Sequence, residues 1–384
     1  MSRPWQPVMG LVFVLTGFLT LRAGEKQNPQ LNARDFPNLM RQAQLGDRSA
    51  QTQVGIAFAK GKIVEQNPSE AVRWFSEAAM AGDPLAQHNL GVMLYLGSGV
   101  ERNLAQAAKW FEAAATAGLA EAQFNAACMY EAGLGVPQNL GRALALFQEA
   151  ARQRHAHAQN NLGRMYQNGE GIAQDSVAAV KWFTKSAEQG DAFGEYDLGA
   201  MYWNGTGVPR DFAKAAYWFQ LAAQQGYADA QQMVGWLYRD GLIVPQDYQA
   251  AATWFLKAAQ QGNADAQNRL GILYLKGQGV TADAAQAAVW FAKAAEQGDG
   301  HAQANLATLY EAGRGVPRDL TQAYKWHQLS QRGTRLDQSD QLRRLANAMS
   351  SDQITDAERM ATEWQPAQNG NSAEGVGSMA DLLE

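Results

Sequence analysis

The sequence predicts an all-α protein: a right-handed α–α superhelical solenoid built from eight 36-residue helix-turn-helix repeats. Three observations carry this expectation. A glycine recurs at Gly61 and then at every 36th residue through Gly313. An alanine column keeps the same interval from Ala71 to Ala323. An aromatic column does so from Phe75 to Phe291 and closes on His327. Self-similarity at a fixed interval of this length marks stacked supersecondary units, none of which hides its apolar face alone. The units fall at 47–82, 83–118, 119–154, 155–190, 191–226, 227–262, 263–298 and 299–334. The 384 residues are therefore read as one array, not as the two or three domains that length alone suggests.

Residues 1–23 read as an export signal. Arg3 precedes an uncharged stretch from Val8 to Leu21. At 1.5 Å per residue the stretch makes roughly 21 Å of helix, short of the ~30 Å hydrocarbon core and suited to a signal peptide. The segment allows cleavage after Ala23 or retention as an amino-terminal anchor with Arg22 flanking the apolar run, with a soluble cytoplasmic protein as the third alternative. Cleavage removes Arg3 and Arg22 and no acid, taking the formal net charge from -5 to -7. An acidic chain with no Lys/Arg block lacks the positive footprint that duplex nucleic acid requires. The single cysteine, Cys128, excludes an internal disulfide and an all-cysteine zinc site. A lone thiol in an oxidising compartment is expected inside the helical packing.

Residues 24–46 supply an N-terminal capping helix, with Asp35 placed to cap it. Within 47–334 each unit reads as two antiparallel helices. In 263–298, Ala266, Leu270, Gly271 and Tyr274 share one helical face. KGQGV then turns the chain, with Gly277 and Gly279 free to take positive φ. Asp283 caps the second helix, as do Asn67, Asn103, Asn139, Asp175, Asp211, Asp247 and Asp319 in the other units. Ala287, Trp290, Phe291, Ala294 and Ala295 form its apolar face. Unit boundaries carry a C′ glycine followed by a cap, as in Gly82–Asp83–Pro84. At one boundary Arg154 replaces that glycine, and a left-handed arginine costs roughly 1 kcal/mol. Residues 335–364 form C-terminal capping helices, with Ser350 and Gln353 as a capping box. Residues 365–384, rich in Gly, Ser, Asn and acid, read as a disordered tail.

The stretch AQNRLGILYLKGQGVTADAAQAAVWFAKAAEQGD, residues 266–299, resembles the consensus of the Sel-1-like repeat family, a relative of the tetratricopeptide solenoids. The resemblance covers 47–334 through an A-x-x-x-L-G-x-x-Y-x-x-G-x-G-V core. Ala127 and Ala307 depart from the LG glycine, Leu94 from the tyrosine, and Ile63 and Ile243 from the second loop glycine. The resemblance implies a non-enzymatic adaptor that holds protein segments in its groove, acting in the bacterial envelope. The expected location is periplasmic or secreted, or anchored to the inner membrane facing the periplasm; membrane contact arises only if the N-terminal segment is retained. The expected partner is an envelope protein or peptide. A peptidoglycan- or glycan-associated module, with aromatic side chains stacking on sugars, is the alternative, and a cell-wall or β-lactam hydrolase a more distant one. Disulfide-clamped relatives with such activities fit poorly to a chain whose one cysteine is Cys128.

Specificity in a repeat array resides in the columns that vary. The positions equivalent to 196, 200 and 203 form an i, i+4, i+7 stripe on each first helix, and first helices line the inner wall by analogy with the family. Arg164, Tyr196, Trp203, Trp236 and Arg239 are the partner-binding candidates on that stripe. Aromatics and arginine concentrate binding energy, and a planar guanidinium grips carboxylates. The competing reading packs Trp203 and Trp236 between repeats. The recurrent glutamines from Gln87 to Gln303 are expected to bond helix to turn in every unit. No cofactor or metal is expected: the His155-x-His157 pair has no third ligand at a dictated spacing, and no nucleophile elbow or phosphate loop is present.

Overall fold

A computed structural model describes residues 34–333 and 337–367. The expected export signal and residues 368–384 of the expected tail lie outside the described residues. The chain is an all-α solenoid of helix-turn-helix repeats, and no strand occurs among the described residues. These residues form two compact units that divide after Gln189. The first holds α1 (Phe36–Gln44), α2 (Arg48–Lys60), α3 (Pro68–Met80), α4 (Pro84–Leu96), α5 (Leu104–Thr116), α6 (Ala120–Ala132), α7 (Leu140–Arg152), α8 (Ala156–Asn168) and α9 (Ser176–Ala187). The second holds α10 (Ala192–Asn204), α11 (Phe212–Gln224), α12 (Ala228–Asp240), α13 (Tyr248–Gln260) and α14 (Ala264–Lys276). It continues with α15 (Ala284–Glu296), α16 (Gly300–Ala312), α17 (Leu320–Gly333), α18 (Ser339–Ala346) and α19 (Ser351–Glu363).

Local chemistry sets the helix ends. The second helix of a hairpin begins where an Asn or Asp side chain accepts from the first turn, as Asn103 Oδ1 does from the Gln106 amide at 2.9 Å. Asp283 accepts from the amides of Ala285 and Gln286, satisfying donors that the helix itself leaves orphaned. The first helix ends on a left-handed glycine, for example Gly277 at φ 66. The capping box of Ser350 and Gln353 is closed in both directions. Asp35 occupies the N-cap of α1 but makes no side-chain cap bond, because its backbone is already helical at φ -85, ψ -19.

Packing follows the columns. Phe75, Phe111, Phe147, Phe183, Phe219, Phe255 and Phe291 are all sealed from solvent. Each of these rings except Phe147 lies under a first-helix glycine: a Cβ built on Gly235 would stand 2.7 Å from Phe255, and one on Gly271 2.6 Å from Phe291. The alanine column from Ala71 to Ala323 is likewise fully buried, which lets the helix backbones close on each other. Cys128 is buried, as a lone thiol requires.

The recurring glutamines tie one helix to the next. Gln123 Nε2 donates to the Ala115 carbonyl at 3.3 Å, and Gln123 Oε1 accepts from Gln153 at 2.8 Å. The same pair of bonds recurs at Gln159, Gln231 and Gln267. At position 195 a glutamate takes the glutamine's place and accepts from Gln225 at 2.7 Å. Burial pushes its carboxyl above the ordinary range, partly offset by that bond, with Asp191 adding to the rise.

Among the described residues, two departures from the repeat are held at positive φ without glycine: Arg154 at φ 65 and Ile243 at φ 72. Ile243 is 53% exposed, so its side chain recovers little by burial. Replacing Ile243 with Gly is expected to stabilise the fold by about 1 kcal/mol in urea unfolding, through relief of left-handed strain. Phe255→Ala is expected to destabilise it by about 3–5 kcal/mol in the same assay.

Candidate functional site

The variable stripe takes up different surroundings along its length. Tyr196, Trp203, Trp236 and Arg239 are all half-buried, neither sealed nor fully solvated. Tyr196 on α10 packs its ring 5.5 Å from Phe219 and 5.0 Å from Tyr227, which in turn meets Phe193 at 5.1 Å. Trp203, two turns further along α10, lies 4.8 Å edge-on to Phe212 and 6.3 Å from Phe219. Both side chains thus belong to the aromatic layer around Phe219.

Trp236 on α12 belongs to the next layer, around Phe255. Arg239, three residues along the same helix, sets its guanidinium 4.5 Å from the centre of the Trp236 ring. Arg269 of α14 sets a second guanidinium 4.7 Å from it. Such cation–π contacts contribute ~0.5–2 kcal/mol, more where water is excluded. Asp265 anchors the cluster by accepting from Gln232 Nε2 at 2.6 Å, Trp236 Nε1 at 3.3 Å and Arg269 Nη2 at 3.2 Å. Asp240 takes two bonds from Arg239, at 2.6 and 2.7 Å, and this pairing holds its carboxyl below the usual range. Beside the cluster opens a cavity of about 260 Å³, walled by Arg269, Ile272, His301 and Asn305 among others.

Arg269 and Asp265 lie outside the stripe read from the sequence, which counts spacings within one helix. The relevant spacing runs between units. Gln232 and Asp265 are 33 residues apart, whereas Asn125 and His88 are 37 apart and bond at 2.9 Å, as do Asn305 and Asn268. One repeat less a turn, or one repeat plus a residue, brings neighbouring first helices into side-chain contact.

Arg164 stands in the first unit, on α8, half-buried. It opposes Glu131 of α6, whose carboxyl burial raises to about 7 while Arg164 pulls it back. On α4, burial lowers the His88 imidazole to about 4, so it is neutral at pH 7. Of the five sequence candidates, then, Trp236 and Arg239 form one cluster, Tyr196 and Trp203 share a second, and Arg164 faces Glu131.

His155 and His157 serve packing. His155 Nδ1 accepts from the Ala158 amide at 3.1 Å, capping α8, and the ring stacks on Phe124 at 4.7 Å. Its Nε2 lies 3.6 Å from Glu121. Among the described residues no group of three or more His, Cys, Asp or Glu is placed to hold a metal ion. Among them too, no helix is long and apolar enough to cross a membrane.

Glu131 gives this wall a pH signature. Its folded pKa lies above the ordinary carboxyl value of 4.5, so its contribution to stability is complete below about pH 4.5 and is lost as pH rises through about 7. Each tenfold change in the ionisation equilibrium is worth ~1.4 kcal/mol, so ionised Glu131 costs on the order of 3 kcal/mol. Glu131→Gln should therefore match the parent at pH 4 and exceed it at pH 8, measured as urea unfolding free energies at the two pH values.

The Sel1 repeat family model matches residues 48–83, 84–119, 120–155, 156–191, 192–227, 228–263, 264–299 and 300–330. No curated protein matches the chain. Among solved structures, a Sel1 repeat protein from Oxalobacter formigenes is 34% identical, with 80% of this chain and 95% of that chain covered and a TM-score of 0.61. The protein c5321, a protective antigen present in uropathogenic Escherichia coli strains and displaying the same repeat fold, is 27% identical. There 94% of this chain and 91% of that chain are covered, with a TM-score of 0.57. With a family model spanning most of its length and a relative above 30% identity, the chain belongs to the Sel1 repeat family.

Proposed function

We propose that this protein is an exported, non-enzymatic adaptor whose eight 36-residue units wind into a right-handed superhelix and hold segments of an envelope protein against its first-helix wall. The observation that carries the reading is the Trp236 cluster. An indole flanked by two guanidiniums, each fixed by its own carboxylate, is a preorganised surface that loses little side-chain freedom on binding. It is half-buried and adjoins an open cavity, and it carries two guanidiniums where the columnar Trp182, Trp254 and Trp290 each carry one lysine ammonium. Membership of the family supports the scaffold role, and the apolar run from Val8 to Leu21 supports export. Tyr196 and Trp203 extend the surface along α10, and Arg164 offers a further guanidinium in the first of the two compact units.

The test is a crosslinked pull-down from an envelope fraction, comparing the parent with the Trp236→Ala/Arg239→Ala variant and with Trp218→Ala. A defined protein recovered with the parent and with Trp218→Ala, and depleted at least fivefold with the double variant, is the expected result. Co-sedimentation of the purified protein with peptidoglycan, abolished by the double variant, would replace the protein partner with a glycan.

A further inference from the structure

The boundary at Arg154 departs from the seven other boundaries that precede a repeat. The equivalent positions are Gly46, Gly82, Gly118, Gly190, Gly226, Gly262 and Gly298, all at φ between 78 and 94. At six of them an added Cβ meets nothing within 4 Å. A side chain here is opposed only by the left-handed backbone, and it projects into open space. Arg154 accepts that strain at φ 65 and is exposed. Strain held by a side chain that supports no packing is a pointer to function.

The surroundings give the strain a purpose. Arg154 lines a cavity of about 360 Å³ within the first unit, together with Arg152, Gln159, Trp182, Lys185 and Glu188. Three cations therefore face one acid, on a chain whose overall charge is -5. Arg152 and Arg154 make no ion pair or side-chain hydrogen bond among the described residues. Lys185 rests its ammonium 3.9 Å from the Trp182 ring. The floor is already satisfied: Gln159 donates to the Ala151 carbonyl at 3.1 Å and accepts from Gln189 at 2.7 Å. Apart from the single acid Glu188, what faces the cavity with unused hydrogen-bonding capacity is the cationic set.

Helix electrostatics explain part of this arrangement. Arg152 and Lys185 lie in the last turns of α7 and α9, where cations complement the helix dipole. Arg154 lies beyond the helix, and a glycine there would serve the fold better. Other units repeat the Lys-over-Trp contact, as Lys257 over Trp254 and Lys293 over Trp290. In none of them are arginines present at the positions of 152 and 154.

We propose that Arg154, with Arg152 and Lys185, forms a second docking cleft on this scaffold, and that its occupant is an acidic protein segment presenting Asp or Glu carboxylates. Two guanidiniums suit planar carboxylates, and the Lys185 ammonium held over the Trp182 ring adds a third positive charge, while Glu188 rejects a carboxylate placed on its side. The cleft lies in the first unit and the Trp236 cluster in the second, so each proposal stands or falls without the other.

The experiment titrates the full chain into a fluorescein-labelled peptide of alternating Glu and Gly, with a Gln/Gly peptide as control, reading anisotropy at low salt. The Glu peptide is expected to bind at least tenfold more tightly than the Gln peptide. Arg154→Gly should weaken it at least fivefold, and Arg152→Gln with Arg154→Gly at least tenfold. The thermal midpoint of Arg154→Gly should stay level or rise, since the left-handed strain is removed. Parental affinity in Arg154→Gly, or equal binding of the two peptides, overturns the proposal. So does displacement of the Glu peptide by inorganic tripolyphosphate at concentrations well below those at which free Glu peptide displaces it, which would assign the cleft to phosphate.

Discussion

The close approach of a phenylalanine ring to a helix backbone is the constraint on which this architecture rests. Phe183 beneath Gly163 and Phe219 beneath Gly199 leave no room for a methyl group. This fixes the separation of the two helices in a hairpin to what a bare backbone over an aromatic face allows. The buried alanine column of the second helix meets the same glycine, the Ala215 carbonyl standing 3.3 Å from a Cβ built on Gly199. Loops, caps and glutamine bonds recur because the same gap recurs. The last repeat changes both halves of the contact, with Ala307 at the glycine position and His327 at the phenylalanine position, whereas at Ala127 the packing makes room for a methyl group beside an unchanged, fully buried Phe147. Burial lowers the His327 imidazole pKa, and the ring enters the core as a neutral aromatic.

Most of the fold was legible in the sequence because this contact leaves a periodic trace. The glycine, alanine and aromatic columns locate the hairpins. The Asn and Asp caps locate the second helices at Asn67, Asn103 and Asp283. First-helix caps were less regular. Leu119 and Tyr227 occupy that column with no side-chain cap bond, and His155 caps through a ring nitrogen. The missed detail at Asp35 has a simple cause: residue type indicates an ability to cap, whereas the bond requires an extended backbone that Asp35 does not adopt.

The candidate site was legible only in part, for a geometric reason. A stripe drawn along one helix finds Trp236 and Arg239 but omits Arg269 and Asp265, which come from the next first helix. Contacts between repeats are governed by the offset with which hairpins stack, and that offset is a property of packing. The same limit applies to Glu131. Its sequence neighbours give no hint that a carboxylate will be sealed in the packing, and its raised pKa arises first from burial, with Glu170, just past the end of α8, adding to the rise.

Regularity also makes departures from it interpretable. A substitution at the phenylalanine or alanine columns disturbs the stacking itself, so its survival says only that the neighbours adjusted. A substitution at the boundary glycines is different, because Gly118 and Gly262 face open space and only backbone conformation opposes a side chain there. Ile243 and Arg154 both bear that conformational cost, yet they differ in what stands around them. Ile243 is exposed on a loop beside the likewise exposed Leu242, where the structure gives no reason for its strain. Arg154 stands among Arg152, Lys185 and Trp182 over a cavity, and the strained residue supplies the charge that distinguishes this boundary from its seven counterparts. In an array whose units share one packing rule, strain alone is weak evidence of function; strain that coincides with a unique charge and an open cavity is the stronger kind.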